Sequence, residues 1–571
     1  MPDTPRRRDV LRAGAVSATA ALAGCSVSRW LRTDGRVDDW QFDPDTVESD
    51  GGFLGVSSGG SAQSAAGGGV GMAAGGAKDV ANFRRNVEAG YLPIPTDLSY
   101  EGLFYEYYFE TGSSGNCAET FCPTPAAAVA PDPLSGEREW YATVGLDSGL
   151  SAADFERKPL DLVVVLDVSG SMDSPFSRYY YDANGRGTGT PTERSTGTPP
   201  EDATKISVAA ESIAAMTTHL STGDRFGMVV FNDEAYEAKP VRAVEETDMA
   251  AIRGHIRELK AGGGTRMSAG MDLATELLDP HAGTDRADRE TRMVFATDAM
   301  PNLGRTGENA ILGTLEENAA RTLYTTVVGI GVDFNSELVD AITAVEGANY
   351  FSVHSGEGFR RRMDREFEYW VSPLVFDLSV ELDAAGYDLA TVYGSTDAEA
   401  ATDRLLHVDT LFPSPERDGK AKGGVVLARL AQVGHADEAT VTAEWEHRDG
   451  STGSSTARVT LPTGASEQFA HTGIRKAVLL ARYASLAKNW MVYERRGPTG
   501  GADGEGGIDE PPAFDAEGDW ERQSDPLTVS PAYRDRFAAF ADHLEAEMAA
   551  TGDETLSREL DVLRTLATHG G

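Results

Sequence analysis

The stretch Asp161–Phe176, DLVVVLDVSGSMDSPF, begins as an almost unbroken apolar run, then sets one carboxylate and two hydroxyls at alternate positions: Asp167, Ser169 and Ser171. A continuous run of Val and Leu is the pattern of a strand buried on both faces, as in a parallel sheet covered by helices. Polar side chains at the end of such a strand must find partners, because burying them unpaired is costly.

The sequence around this stretch has the matching texture. Between residues 156 and 372 apolar strands (RFGMVVFND, TRMVFATD, LYTTVVGIG, ANYFSVH) alternate with helical patterns (Lys205–Leu220, DMAAIRGHIRELK, SAGMDLATELL, Glu308–Ala320, SELVDAITAV and a closing GEGFRRRMDREFEYWV). That alternation predicts an α/β domain with a doubly wound, mainly parallel sheet. Ligands of such sheets gather at the carboxyl ends of the strands. Asp167 ends one strand, and Asp298 ends another in VFATDAMPN. In AGGGTRMSAG three glycines turn the chain and set Thr265 just before a helix.

Together these segments supply two carboxylates and three hydroxyls, a donor set suited to a hard divalent cation. Mg²⁺ is the expected ion, with Mn²⁺ and Ca²⁺ as alternatives. Neutral hydroxyls complete the shell without cancelling the ion's charge, which leaves an open position for a carboxylate from another molecule.

DVSGS, GGGT and TDAMPN resemble the three parts of the metal-ion-dependent adhesion site of von Willebrand factor type A domains. The resemblance covers residues 156–372 and implies that Asp167, Ser169, Ser171, Thr265 and Asp298 hold the metal, the hydroxyls directly and the aspartates directly or through water. Ala299 departs from the family's usual Gly. A second departure is an insertion of about thirty residues (174–203) before the first helix, far longer than the usual short connection. Its Tyr179, Tyr180 and Tyr181 are either contacts for a partner or part of a surface insertion. The flanking regions are similar in texture to exported bacterial YfbK-like proteins of this type.

The flanks divide by composition. Residues 1–25 read as an export signal: Arg7-Arg8 with the following Asp-Val-Leu resembles a twin-arginine motif, and LAGC resembles a lipobox in which Cys25 is lipidated. Residues 26–78 form a Gly/Ser/Ala-rich flexible tether. Its GVSSG matches a nucleophile elbow only formally, having neither the strand nor the helix that motif requires. Residues 79–155 form an accessory region with helices at Val80–Glu88 and Tyr100–Phe109 and a strand at REWYATVGLDS. Period-two alternation predicts an antiparallel β domain over 373–465. A long amphipathic helix (466–496), an acidic Gly/Pro linker (497–529) and a helical tail (530–571) follow. Cys117 and Cys122, the remaining two of three cysteines, are expected to form a small disulfide staple outside the cytoplasm.

Asp and Glu outnumber Lys and Arg by 90 to 51, for a formal net charge of −39. This excludes a nucleic-acid-binding surface. Only nine of the basic residues are Lys, the composition expected of a halophilic protein kept soluble in high salt. No P-loop and no His-Glu-x-x-His pattern occurs. A site of carboxylates and hydroxyls lowers a bound water's pKa less than His-bound zinc does, so hydrolysis is not expected and no small-molecule substrate is identified. The sequence thus predicts a non-enzymatic protein, lipid-anchored on the outer face of the cytoplasmic membrane, that grips a partner's Asp or Glu through a metal. The alternative is a scaffold or assembly subunit of a membrane-attached complex that uses the same site.

Overall fold

The computed structural model describes residues 35–44, 69–74, 80–112, 119–151, 155, 157–175, 203–283, 288–298, 305–331, 342–353, 355–394, 404–434, 437–464, 466–496 and 525–570. In chain order the first elements are β1 (Gly69–Ala74), α1 (Ala81–Ala89), α2 (Tyr100–Tyr105), β2 (Tyr108–Glu110), β3 (Cys122–Pro131) and β4 (Arg138–Ser151). There follow β5 (Leu160–Asp167), α3 (Lys205–Met216), β6 (Arg225–Phe231), β7 (Ala235–Ala243), α4 (Met249–Arg257), α5 (Met267–Leu278), β8 (Glu290–Thr297), α6 (Arg305–Ala319), β9 (Leu323–Ile330) and β10 (Asn349–Val353). Two short helices, α7 (Gly356–Arg360) and α8 (Phe367–Trp370), flank a π-helical turn at Arg361–Arg365.

These central strands form a six-stranded sheet in the order β10-β9-β8-β5-β6-β7. Five run parallel, and β7 lies antiparallel at one edge. Every residue of β5 is buried. Its alternate side chains serve two cores: Leu162, Val164 and Leu166 meet α3, α4 and the α7–α8 region, while Val163 and Val165 meet α5 and α6. A strand covered on both faces cannot alternate apolar with polar, which is why Leu160–Asp167 reads as a continuous apolar run.

The rest of the chain builds β11 (Val375–Asp383), β12 (Tyr387–Tyr393), β13 (Arg404–Ser414), β14 (Glu416–Arg417), β15 (Lys420–Lys422), β16 (Val425–Gln432), β17 (Glu438–His447), β18 (Thr452–Thr460), β19 (Gln468–Phe469), α9 (Thr472–Arg496), α10 (Pro531–Thr551) and α11 (Ser557–Thr568). A ten-stranded sheet runs β12-β16-β4-β1-β13-β11-β17-β18, with β3 paired to both β4 and β19. Strands from before and after the α/β unit therefore share one antiparallel sheet, although composition divides them into separate regions. Helices α1, α2, α9, α10 and α11 bury one face of it around Phe83, Phe104, Tyr483, Trp490 and Phe537. No helix among the described residues is long and apolar enough to cross a membrane.

Three local expectations need correction. The stretch read as a tether contains β1, which is inserted between β4 and β13 with Met72 fully buried; here neighbouring strands satisfy the backbone of a Gly/Ala segment that has little side-chain pattern of its own. The helix expected over Tyr100–Phe109 stops at Tyr105, because Tyr108–Glu110 pair with β15. The closing helix is broken at the π-helical turn. Residues 336–341 of SELVDAITAV, most of the 174–203 insertion with its three tyrosines, Ala299, Cys25 and Cys117 lie outside the described residues; Ile342 and Val345, at the end of that segment, are buried in the core that contains α5 and α6. Cys122 is disulfide-bonded.

Candidate metal centre

Strand pairing sets the site. β5 and β8 lie side by side with Leu166 opposite Ala296, so the chain leaves both strands at the same edge and Asp167 and Asp298 come together. The Ser169 backbone N–H donates to Asp167 Oδ1 at 2.8 Å, and the Thr297 hydroxyl donates to Asp167 Oδ2 at 2.6 Å. The Ser171 hydroxyl donates to Asp298 Oδ1 at 2.8 Å and lies 3.1 Å from the Ser169 hydroxyl. Four of the five predicted residues thus form one hydrogen-bonded cluster. Asp167 and Ser169 are fully buried and Asp298 is nearly so.

The fifth residue arrives on a neighbouring loop. Gly262 N–H donates to Val168 O at 2.8 Å, and Gly170 N–H donates to Gly263 O at 3.0 Å, which docks the glycine turn against the serine loop. Asn232 and Asp233, just beyond β6, hold the turn from its other side: Asn232 Nδ2 donates to Gly262 O at 3.1 Å, and Asp233 Oδ2 accepts from Gly264 N–H at 2.7 Å. Gly263 has φ +84°, and a Cβ there would lie 2.8 Å from Asp233 Oδ2. Thr265 stands exposed on this loop.

Sequence reasoning missed four participants: Thr297, Lys205, Asn232 and Asp233. A hydroxyl at the end of the apolar strand was a legible signal for Thr297. Lys205 is the first residue of α3, and its ammonium donates to Asp298 Oδ2 at 2.9 Å with both side chains buried. That contact spans 93 residues of sequence, so nothing local announces it. The two ends of the insertion meet beside the site, with Pro175 bridged to Thr204 and Lys205 N–H donating to Ser174 O at 3.0 Å.

Electrostatically the pocket is short of positive charge. Burial, and then the neighbouring Asp298 carboxylate, push the Asp167 carboxyl up to about 7 against the opposing hydrogen bonds from Ser169 and Thr297. Two carboxylates held this close in a dry pocket favour either a proton or a cation. With hydroxyls beside them, the donors are those of a hard oxygen-ligated ion. No group of three or more His, Cys, Asp or Glu side chains able to hold a metal occurs among the described residues, and this donor set relies on hydroxyls.

Residues 162–300 match the family described as von Willebrand factor type A domain. The chain is 23% identical over 181 residues to human (Homo sapiens) inter-alpha-trypsin inhibitor heavy chain H4, which covers 31% of this chain and 19% of that protein. It is 27% identical over 197 residues to an uncharacterized protein of Synechocystis sp., covering 34% of this chain and 37% of the relative. Among solved structures, a von Willebrand factor type A protein from Catenulispora acidiphila aligns with a TM-score of 0.37 and 15% identity, over 66% of this chain and 82% of that one. The parallel sheet with its antiparallel edge, together with the matched segment around β5, makes residues 162–300 a von Willebrand factor type A domain.

Proposed function

We propose that this chain is a binding protein that recognises a partner's Asp or Glu side chain through a divalent cation, most simply Mg²⁺, held at the mouth of the α/β unit. The single observation that carries this reading is the hydrogen-bonded cluster of Asp167, Ser169, Ser171 and Asp298, in which all but the half-buried Ser171 are buried and Asp167 is already oriented by Thr297 and the Ser169 backbone. Domains of this type commonly mediate protein–protein interaction or adhesion. Ser169, Ser171 and Thr265 would hold the ion through their hydroxyls, with Asp167 and Asp298 supplying negative charge. The ion when bound supplies an electrophilic open position that a carboxylate can fill. Both oxygens of Asp298 already accept hydrogen bonds, from Ser171 and Lys205, which suits it to act on the ion through water.

Coordination of this kind suits a chain with a net charge of −39. Long-range attraction between surface charges fades within about 10 Å at 0.1 M salt, whereas a bond made inside a buried pocket is little screened. We place the protein on the outer face of the cytoplasmic membrane, anchored through a lipid on Cys25, and assign it no catalytic step.

The test is a pull-down from solubilised cell envelope with the wild-type protein and Asp167→Ala, each in Mg²⁺ and in chelator. A partner retained by wild type in Mg²⁺ alone supports metal-bridged recognition. Identical bands in all four lanes refute it. If the retained partner is a constant neighbouring subunit instead of a surface ligand, the site works within an assembly.

A further inference from the structure

Lys205 is an unexpected residue to find at this site. It opens a helix, where the macrodipole disfavours a cation, and its ammonium is fully buried, where an ion costs several kcal/mol to desolvate. Three features build its seat. Asp298 Oδ2 accepts from the ammonium at 2.9 Å. The Lys205 backbone N–H is tied to Ser174 O, on the loop that carries Ser171. Gly331, just past the end of β9, leaves the channel open: it has φ +103°, and a Cβ there would lie 2.9 Å from Lys205 Cε and 3.1 Å from Nζ. The lysine is held by parts of three segments that meet at the site.

Its consequence follows from counting charge. Asp167 and Asp298 with a divalent cation but no lysine sum to zero, and such a site has no net Coulombic pull on an incoming carboxylate. With Lys205 the loaded site carries +1 and reaches neutrality when one carboxylate binds. In the metal-free state the same lysine leaves a net −1 in place of −2, which weakens the site's hold on the cation.

We propose that Lys205 is a fixed counter-cation that weakens the site's grip on its divalent ion and strengthens the ion-loaded site's grip on a monoanionic carboxylate. This rests on the metal-bridged reading above and adds the charge selectivity of the site. A neutral side chain on the incoming partner gains nothing from the lysine, so the selectivity is for Asp or Glu over Asn or Gln.

The test uses the full chain with Lys205→Gln, which keeps a hydrogen-bond donor for Asp298 and deletes the charge, and with Lys205→Met as a second variant. Mn²⁺ affinity is read by calorimetry. Acetate is the carboxylate probe, read through the paramagnetic relaxation of its methyl protons by Mn²⁺-loaded protein. Unit charges in a partly buried site interact strongly enough to shift equilibria by about tenfold or more. The expected result is Mn²⁺ binding about tenfold tighter and acetate binding about tenfold weaker in the variants. The opposite signs matter, because a merely structural lysine would weaken both together. Joint weakening, or no change in either, overturns the proposal while leaving the metal-bridged reading intact. Absence of Mn²⁺ binding by wild type overturns that reading and this inference with it. If either variant folds only when Mn²⁺ is present, the ion is replacing the deleted positive charge, which supports the proposal; failure of both to fold in Mn²⁺ overturns it.

Discussion

Glu366→Gln removes one negative charge from a buried cluster that fastens the α/β unit to the small sheet of β2, β14 and β15. Glu366 lies between the π-helical turn and α8; it accepts from Arg362 at 2.7 Å and is paired with Lys422 of β15. Arg362 and Lys422 both lie over the ring of Tyr105, at 4.3 and 4.5 Å from its centre. Burial alone would push the Glu366 carboxyl up, but Arg362 and Lys422 outweigh it and hold it at about 2. Burial pushes the Lys422 ammonium down to about 8 even with Glu366 beside it. At neutral pH these two effects act in opposite directions, and it is rupture of the cluster that is costly. Removing one partner of a buried pair costs about 3–5 kcal/mol, because the other charge is stranded. With an m-value of about 3 kcal/mol/M in urea, the midpoint falls by about 1–2 M. Trp370 provides a local optical reporter, its indole N–H donating to Arg362 O at 2.8 Å. Adding Lys422→Met to the variant should recover part of the loss, since the stranded ammonium goes with it. The folded carboxyl titrates below its unfolded value, so its stabilisation is present above about pH 4.5 and is lost as pH falls toward 2. Wild type should show that loss and Glu366→Gln should lack it. A single variant within about 0.5 kcal/mol of wild type would refute the reasoning.

Two further outcomes follow from buried partners elsewhere. Asp39 lies between Lys239, 3.4 Å away and fully buried, and Arg242 at 2.7 Å; Asp39→Ala should cost about 3–5 kcal/mol by stranding Lys239 and should open residues 35–44 to limited proteolysis, and an unchanged cleavage pattern would count against it. Thr297→Val deletes the hydroxyl that donates to Asp167 Oδ2; the carboxyl should then hold its proton more tightly and Mg²⁺ affinity should fall by about tenfold, on the scale of a lost outer partner of a metal ligand, as read by calorimetry.

The legible parts of this molecule were those with local signatures. β5, β6, β8 and β9 are covered on both faces, and burial of both faces writes itself as an apolar run. The candidate ligands follow strand ends or a glycine turn, so their convergence at one sheet edge could be inferred from α/β topology. What escaped was non-local. The edge strand β7 carries Lys239 and Pro240 and is antiparallel, so neither an apolar run nor clean alternation marks it. β1 is a strand because β4 and β13 flank it, and its own residues give no hint of that. The shared ten-stranded sheet joins segments more than two hundred residues apart, which period-two patterning has no means of expressing. Lys205 read as an ordinary residue at the start of an amphipathic helix until β8 placed Asp298 against it.

The central claim is that Asp167, Ser169, Ser171, Thr265 and Asp298 hold a divalent cation. Calorimetric titration of Mg²⁺ into wild type and Asp167→Asn, after exhaustive chelation, tests it most directly, with thermal unfolding in the same buffers as a check. A ligand bound to the native state alone adds about 2.7 kcal/mol of stability at a hundred times its dissociation constant. The account predicts one saturable Mg²⁺ site per chain in wild type, with a rise in unfolding temperature, and loss of both in the variant. Equal heats and equal unfolding temperatures for the two proteins, with and without Mg²⁺, would contradict it.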